Sequence, residues 1–390
     1  MVNKVLREYY FMVMLTAAAP GFTMAMYVNY LRQYGLGPLE IGLVNTAYFS
    51  ALFIFEIPTG RFADRFGRKK SYITSCLINF GGTILYGLSG SFWLFISAEL
   101  VKAVAQTFSS GAFDSWFVDR LEHYGYEGSL TKIFAKGKRI KSITTGVTAL
   151  AGGVAFGYFP SSPWFISSVV FLICVFYARK IDEEYFCSET AQSRPPIMAI
   201  MRQITQHREL RFVFVITFVY FVAIQAFNMQ WIPFFDPDSS NPNWVAVIGM
   251  FNHFTVFAGA YICGNALITR AKDSCTAMTI CQMIIGAAVI ITAVVGNGWI
   301  GFLLFMVHEM GRGAFDPLRS QCIHQYAESD DRATTDSIQS MACHLGSVVG
   351  LIASGAIAAL IGIAPTWAIS GTFLIGASII IGIRHRSLNK

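Results

Sequence analysis

Apolar residues in this chain gather into long continuous runs separated by short polar stretches. Strict alternation would predict half-buried strands or the staves of a barrel. A continuous run of about 20 apolar residues instead predicts a helix that crosses about 30 Å of hydrocarbon. Twelve such spans are read, over residues 7–31, 38–60, 71–89, 92–119, 138–158, 163–179, 208–233, 244–268, 274–295, 299–322, 336–360 and 366–384. The first is too long for the apolar core of a signal peptide and no small-residue cleavage site follows it, so it counts as a span. Pro20-Gly21 predicts a break near its middle.

The connections differ in kind. Those at 89–91 and 296–298 are very short, whereas alternate connections at 61–70, 120–137, 180–207, 269–273 and 323–335 are longer and basic. Of 29 Lys and Arg, only Arg32 falls in a loop on the other side, and Lys102 and Arg312 lie within spans. Basic connections stay in the cytoplasm. Both termini are therefore expected there, which requires an even number of spans. Composition agrees: 54% of the 390 residues are hydrophobic and 13% charged, against about 25% charged in soluble domains. The net charge of +6 is then topogenic and implies no nucleic-acid partner. The eight cysteines are scattered, with no C-x-x-C pair, so neither disulfides nor a cysteine metal site is expected.

The longest connection holds Asp182-Glu183-Glu184 and Pro195-Pro196. After the prolines, Ile197, Ile200, Met201 and Ile204 recur at helical spacing, which predicts an amphipathic helix at the interface. This divides the chain into a first six-helix bundle (1–180), a linker (181–207) and a second bundle (208–390). The halves echo one another. Gly111-Ala112-Phe113-Asp114 in span four returns as Gly313-Ala314-Phe315-Asp316 in span ten, and Ile41-Gly42-x-x-Asn45 returns as Ile248-Gly249-x-x-Asn252. The fold class expected is thus an all-α membrane protein of twelve transmembrane helices in two pseudo-symmetric bundles.

Between spans two and three stands Gly60-Arg61-Phe62-Ala63-Asp64-Arg65-Phe66-Gly67-Arg68-Lys69-Lys70. Gly60 would permit close approach of two helices and Gly67 a tight reversal. Asp64 is placed to accept hydrogen bonds from the start of a helix. Here the chain resembles the major facilitator superfamily, whose cytoplasmic signature G-x-x-x-D-R-x-G-R-[KR]-[KR] is matched at every specified position. The lead-in Phe55-Glu56-Ile57-Pro58-Thr59 resembles a bacterial subgroup of uncertain substrate. The resemblance implies a monomeric secondary transporter in the bacterial inner membrane, and it names the start of span eleven, near Thr335 to Ser337, as the partner of Asp64. Arg65 or Arg68 would then pair with Asp114 or Asp119, and Asp316 would belong to the same inner gate. Family exporters that exchange drugs for protons carry a Gly-Pro pair in span five; Leu150-Ala151-Gly152-Gly153 has no proline, which argues against that exchange.

An ionisable group at mid-bilayer costs several kcal/mol unless paired or wet, and so marks a functional candidate. Glu99 and Lys102 share a face of span four at i, i+3; Glu309 and Arg312 repeat that spacing in span ten, beside His308. Glu309 is read as the group that takes up and releases a proton, tuned by His308 and Arg312, because a carboxylate away from water keeps a proton more readily. Lys102 would attract an anionic group, with Glu99 beside it. The bland alternative is ion pairing between packed helices. Asn29, Asn45, Gln225, Asn228, Asn252 and His344 are further candidates to line a cavity; Gln225 and Asn228 share a face, and Gln230 is turned away from it. Glycines at 146, 152, 153, 157, 346, 350 and 355 are read as close-packing positions of spans five and eleven.

No nucleotide loop G-x-x-x-x-G-K-[ST] and no zinc-protease H-E-x-x-H is present, and no cofactor is implied. The expected function is transport of a small polar or amphipathic solute with proton coupling, not enzymatic catalysis. A multidrug/proton antiporter and a facilitated or sodium-coupled carrier are the alternatives within transport, and a membrane enzyme or sensor is the alternative outside it.

Overall fold

The apolar runs fold as helices, and the polar punctuation sets where they end. The computed structural model describes residues 1–128, 130–181, 202, 204–238, 241–262, 274–326 and 332–387. Their helices are α1 Val2–Met24, α2 Tyr27–Gln33, α3 Pro38–Phe66, α4 Arg68–Leu88, α5 Phe92–Ser109, α6 Ala112–His123 and α7 Leu130–Tyr158. They continue with α8 Ser162–Lys180, α9 Arg208–Phe235, α10 Pro242–Ile262, α11 Ser274–Val295, α12 Trp299–Tyr326, α13 Arg332–Ile361 and α14 Ile363–Ser387.

Among the described residues, eight stretches are long and apolar enough to cross a membrane: Val2–Gln33, Pro38–Ala63, Ser162–Lys180, Arg208–Phe235, Asn243–Tyr261, Cys275–Val295, Ile338–Ile361 and Ile363–His385. Spans three, four, five and ten of the sequence reading are not among them. They correspond to α4, α5, α7 and α12, of 21, 18, 29 and 28 residues. Composition explains the difference. α4 and α7 open on basic turns, α5 carries Glu99 and Lys102, and α12 carries Glu309, Arg312 and Asp316. The helices that hold the ionisable candidates are less apolar because they hold them.

Three local expectations are corrected. The break expected at Pro20-Gly21 falls a turn later, since α1 runs through Pro20 to Met24 and α2 restarts at Tyr27. A proline removes one N–H from the ladder, but Gly21 sits against Thr145 and Thr148 of α7, and that packing holds the turn. Span four is not one helix: α5 ends at Ser109, Gly111 takes φ 70°, and α6 begins at Ala112. The basic segment 61–70 is not an open loop either. α3 continues to Phe66, α4 starts at Arg68, and Gly67 alone joins them at φ 102° and ψ 143°.

That joint yields a prediction. Non-glycine residues are strained there by about 1–3 kcal/mol, so Gly67→Ala is expected to lower the Tm of the purified chain. Gly157→Ala is the control: Gly157 lies within α7 with nothing within 4 Å of an added Cβ, and Ala there is expected to stabilise by about 0.5–1 kcal/mol. Equal thermal shifts would mean that Gly67 is not held in its strained conformation.

The interfacial helix predicted after Pro196 lies mostly outside the described residues. Residues 204–206 are helical, and Ile204 is buried against Ile338 with Phe214 beside them.

Contacts divide the chain into two compact units: Met1–Leu36 with Ala47–Gln192 and Asp238–His253, and Gly37–Thr46 with Ser193–Pro237 and Phe254–Lys390. Helix partnering in one is repeated in the other. α1 packs on α7 and α8, and α4 on α5 and α8; correspondingly α9 packs on α13 and α14, and α11 on α12 and α14. The glycines do the same job in both. Gly152 of α7 faces the Phe22 carbonyl of α1, and Gly350 of α13 faces the Val222 carbonyl of α9, so that any side chain would overlap backbone. Gly60, read as a close-approach position, has no heavy atom of another described residue within 4 Å of an added Cβ, and neither does Gly157.

The four-residue echo keeps its tertiary contact but not its local structure. Gly111 interrupts a helix, whereas Gly313 lies inside α12 against the Val256 carbonyl. Yet Phe113 stacks on Tyr9 of α1 at 5.9 Å between ring centres, and Phe315 stacks on Tyr220 of α9 at 4.2 Å.

Candidate functional site

Each unit buries one acidic side chain beside one basic side chain, a helical turn apart. In the first unit, Lys102 Nζ of α5 lies 3.1 Å from Glu99 Oε1. α4 supplies the other walls from a single face. Gly82 comes so close that an added Cβ would stand 3.1 Å from Lys102 Cγ, and Tyr86, one turn on, places its ring centre 4.8 Å from Nζ. The Tyr27 ring of α2 lies 5.9 Å from the same ammonium. Cation–π contact of this kind contributes about 0.5–2 kcal/mol. Tyr86 in turn stacks on Trp164 at 5.5 Å, and Tyr30 stacks on Trp164 at 4.0 Å while donating to the Gly87 carbonyl at 2.9 Å.

In the second unit, Glu309 accepts from Arg312 Nη1 on both oxygens, at 2.9 and 3.0 Å. His308 Nδ1 lies 3.7 Å from Glu309 Oε1. The His308 ring is fully buried, stacked on Phe305 at 5.0 Å and edge-on to Phe227 at 5.2 Å, with Trp367 behind both. Glycines draw the neighbouring helices onto this part of α12: Gly259 of α10 meets the Met310 carbonyl, and Gly311 meets Ile285 of α11.

The two pairs share an asymmetry. The acid side chains are 4% and 2% exposed, whereas the Lys102 and Arg312 side chains are 20% and 29% exposed. In each unit the carboxylate is sealed and the cation is the more exposed member.

The remaining candidates fall into separate places. Gln225 donates to Ser347 Oγ at 2.8 Å and accepts from Asn228 at 3.4 Å. Gln230, expected to turn away from that face, also reaches α13, donating to the Ser354 carbonyl at 3.1 Å two turns further along. Asn45 donates to the Ile41 carbonyl of its own helix at 3.0 Å. Asn29 is buried and accepts from Arg32 at 3.4 Å. Asn252 is buried in α10, and His344 is half-buried in α13.

At the signature segment, Arg68 pairs with Asp119 at 2.6 Å and also donates to the Ser115 carbonyl at 3.2 Å. Asp114 takes a different partner, accepting from the Tyr9 hydroxyl at 3.1 Å. The Arg65 guanidinium lies 5.2 Å from the centre of the Phe66 ring. Asp316 pairs with Arg319 of its own helix at 3.3 Å and is 67% exposed. The Asp64 side chain and Ser337 side chain lie outside what is described.

Sequence reasoning missed several groups. Tyr27 and Tyr86 carry no spacing signal, because they come from two other helices. Arg120 and Glu8 form a buried pair at 2.7 Å between α6 and α1. Gln282 donates to the Ile216 carbonyl at 2.9 Å and accepts from Ser378 at 2.6 Å, tying α11 to α9 and α14. Gln282 stands alone in an apolar run, and that was a readable signal.

Comparison with known proteins places the architecture. The chain superimposes on the nucleoside transporter NupG with a TM-score of 0.78 at 14% identity, covering 99% of each chain. An auto inhibited POT family peptide transporter gives 0.78 at 14% identity, over 98% of this chain and 97% of that one. These likenesses establish the fold. The "Uncharacterized MFS-type transporter YxaM" of Bacillus subtilis (strain 168) is 24% identical over 176 residues, 45% of this chain and 43% of that protein. The match therefore spans less than half of the curated relative's length. The sequence profile described as Major Facilitator Superfamily matches residues 9–308. Taken with the repeated helix partnering and the signature segment, that match identifies the chain as a multi-pass membrane protein belonging to the Major Facilitator Superfamily.

Proposed function

We propose that this transporter is a secondary active carrier, working by alternating access in the bacterial inner membrane as a monomer. In this reading the eight apolar helices and α4, α5, α7 and α12 make twelve spans, in bundles 1–180 and 208–390 joined by 181–207, with both termini cytoplasmic. The cargo is a small polar or amphipathic solute with a negatively charged group, and its movement is coupled to protons.

The observation that carries this reading is the paired asymmetry: a sealed carboxylate and a more exposed cation in each unit. Ions buried within a membrane protein are costly even when paired, so their presence points to use. Lys102, flanked by tyrosines, offers an anion a charge and two aromatic faces. Arg312 offers a planar fork that suits carboxylate or phosphate. When Glu309 holds a proton, Arg312 loses its partner and can take a solute anion instead. Proton and anion then travel together. A lipophilic cation would meet the wrong charge at both places, which weighs against the multidrug reading.

The test is solute-driven proton movement in proteoliposomes containing a pH-sensitive dye, with panels of anionic, neutral and cationic solutes. Anionic solutes alone are expected to shift internal pH, and Lys102→Gln is expected to raise the half-saturating concentration about tenfold, the equivalent of ~1.4 kcal/mol. Transport confined to neutral or cationic solutes would overturn the anion assignment. Solute movement with flat pH would turn the reading toward sodium coupling or facilitated diffusion.

A further inference from the structure

One end of the second unit carries a groove that the transport chemistry does not use. It lies between the start of α9, the start of α11 and the end of α14, with a volume of about 350 Å³. Phe212 of α9, Thr279 and Ile280 of α11, and Ile379, Ile383 and His385 of α14 line it. Ile280 and Ile383 are 51% and 63% exposed, so the groove opens on the outward apolar surface of the unit rather than into its core. Gly382 forms its floor: an added Cβ there would stand 3.2 Å from Thr279 Cγ2, and its absence lets α14 close on α11. From Ile379 to His385 the groove follows α14 for about 9 Å.

The chemistry changes at one end. The His385 ring packs on Phe212 at 4.6 Å. Beside it the described helix ends carry Arg208, Arg211 and Arg384 against a single acid, Glu209. α9 also begins there, with His207 as its N-cap, so the positive end of the helix adds to the same charge. An apolar slot on a membrane-facing surface, ending in a cationic rim, has the shape of one acyl chain and the charge of an anionic headgroup.

We propose that this groove holds one anionic phospholipid from the leaflet on the basic side of the protein. Its acyl chain lies along Ile280, Ile379 and Ile383, and its phosphate sits at His385 within reach of Arg211 and Arg384. A zwitterionic lipid fits the slot equally but brings a cation to an arginine rim.

The experiment uses the full chain in phosphatidylcholine vesicles containing a trace of phosphatidylglycerol with a photoactivatable acyl chain, and in parallel the same probe with a phosphatidylcholine headgroup. Adducts are mapped by peptide mass. The glycerol-headgroup probe is expected to label the groove segments of α11 and α14 several-fold above other outward-facing helices, and unlabelled phosphatidylglycerol is expected to compete. Ile383→Trp, which fills the slot, and the double variant Arg211→Gln with Arg384→Gln are each expected to remove most of that excess. The double variant changes two exposed side chains and keeps the test decisive where the tryptophan variant does not reconstitute. Uniform labelling of all outward faces, or equal labelling by the two headgroups, would overturn the proposal.

Discussion

Glu309→Gln is expected to abolish solute-driven proton movement while leaving solute exchange across the vesicle membrane largely intact. The amide still accepts from Arg312, so geometry survives, but the side chain can no longer carry a proton. Proton flux per solute is expected to fall at least tenfold, more than ~1.4 kcal/mol. The cost to folding is expected to be small, because Arg312, left without a counter-charge, is 29% exposed and can rehydrate. Arg312→Gln should behave in the opposite way. It leaves Glu309, only 2% exposed, without its cation, and removing one partner of a buried pair costs roughly 3–5 kcal/mol. Proton flux and Tm measured on both variants decide between roles. If Glu309→Gln loses exchange and proton movement equally while staying monodisperse, Glu309 is a structural partner of Arg312 and coupling lies elsewhere.

The second large effect is expected far from that site. Glu8 and Arg120 tie α1 to α6 at 2.7 Å, with side chains only 11% and 6% exposed. Glu8→Ala strands a buried guanidinium that keeps the Phe117 ring beside it at 5.4 Å. A loss of roughly 3–5 kcal/mol is expected, and a fall in Tm on the order of 10 °C. Arg120→Met should cost less, since Lys4 stands 3.9 Å from Glu8 and can take over as counter-ion. The double variant Glu8→Leu with Arg120→Met is expected to regain most of the loss, because apolar pairs of similar volume replace buried ion pairs at little cost. Unfolding can be followed by a thiol-reactive dye, since Cys76 and Cys174 of the same unit are buried. A Glu8→Ala protein as stable as the parent would show that the pair is hydrated in the membrane-embedded chain.

The two effects differ in how far a spacing rule reveals the partners. Glu309 and Arg312 were legible as a pair because they stand one turn apart on one helix. Glu8 and Arg120 are 112 residues apart, and their meeting depends on how α6 leaves the turn at Gly111. The signature segment shows the same division. Its residues were recognisable as a motif, and Gly67 as its joint, but the structure decided that Arg68 takes Asp119 while Asp114 goes to Tyr9. Gly60 has the composition of a contact position, and no other described residue lies within 4 Å of a Cβ added there. Cys275 and Cys322, scattered in sequence, come to 4.0 Å.

The sequence by itself determined the helical class, the membrane setting, the superfamily and the i, i+3 charge pairs. Hydrocarbon permits so few backbone solutions that a continuous apolar run is nearly a structural statement, and a helical turn fixes neighbours three and four residues apart. Only the tertiary structure decided which member of each pair is sealed and which is more exposed, that Tyr86 and Tyr27 flank Lys102, and that α9, α11 and α14 leave a groove with a basic rim. Those properties belong to the packing of different helices. They depend on where glycines let backbones touch, and an apolar run says that a helix will be buried without saying against what.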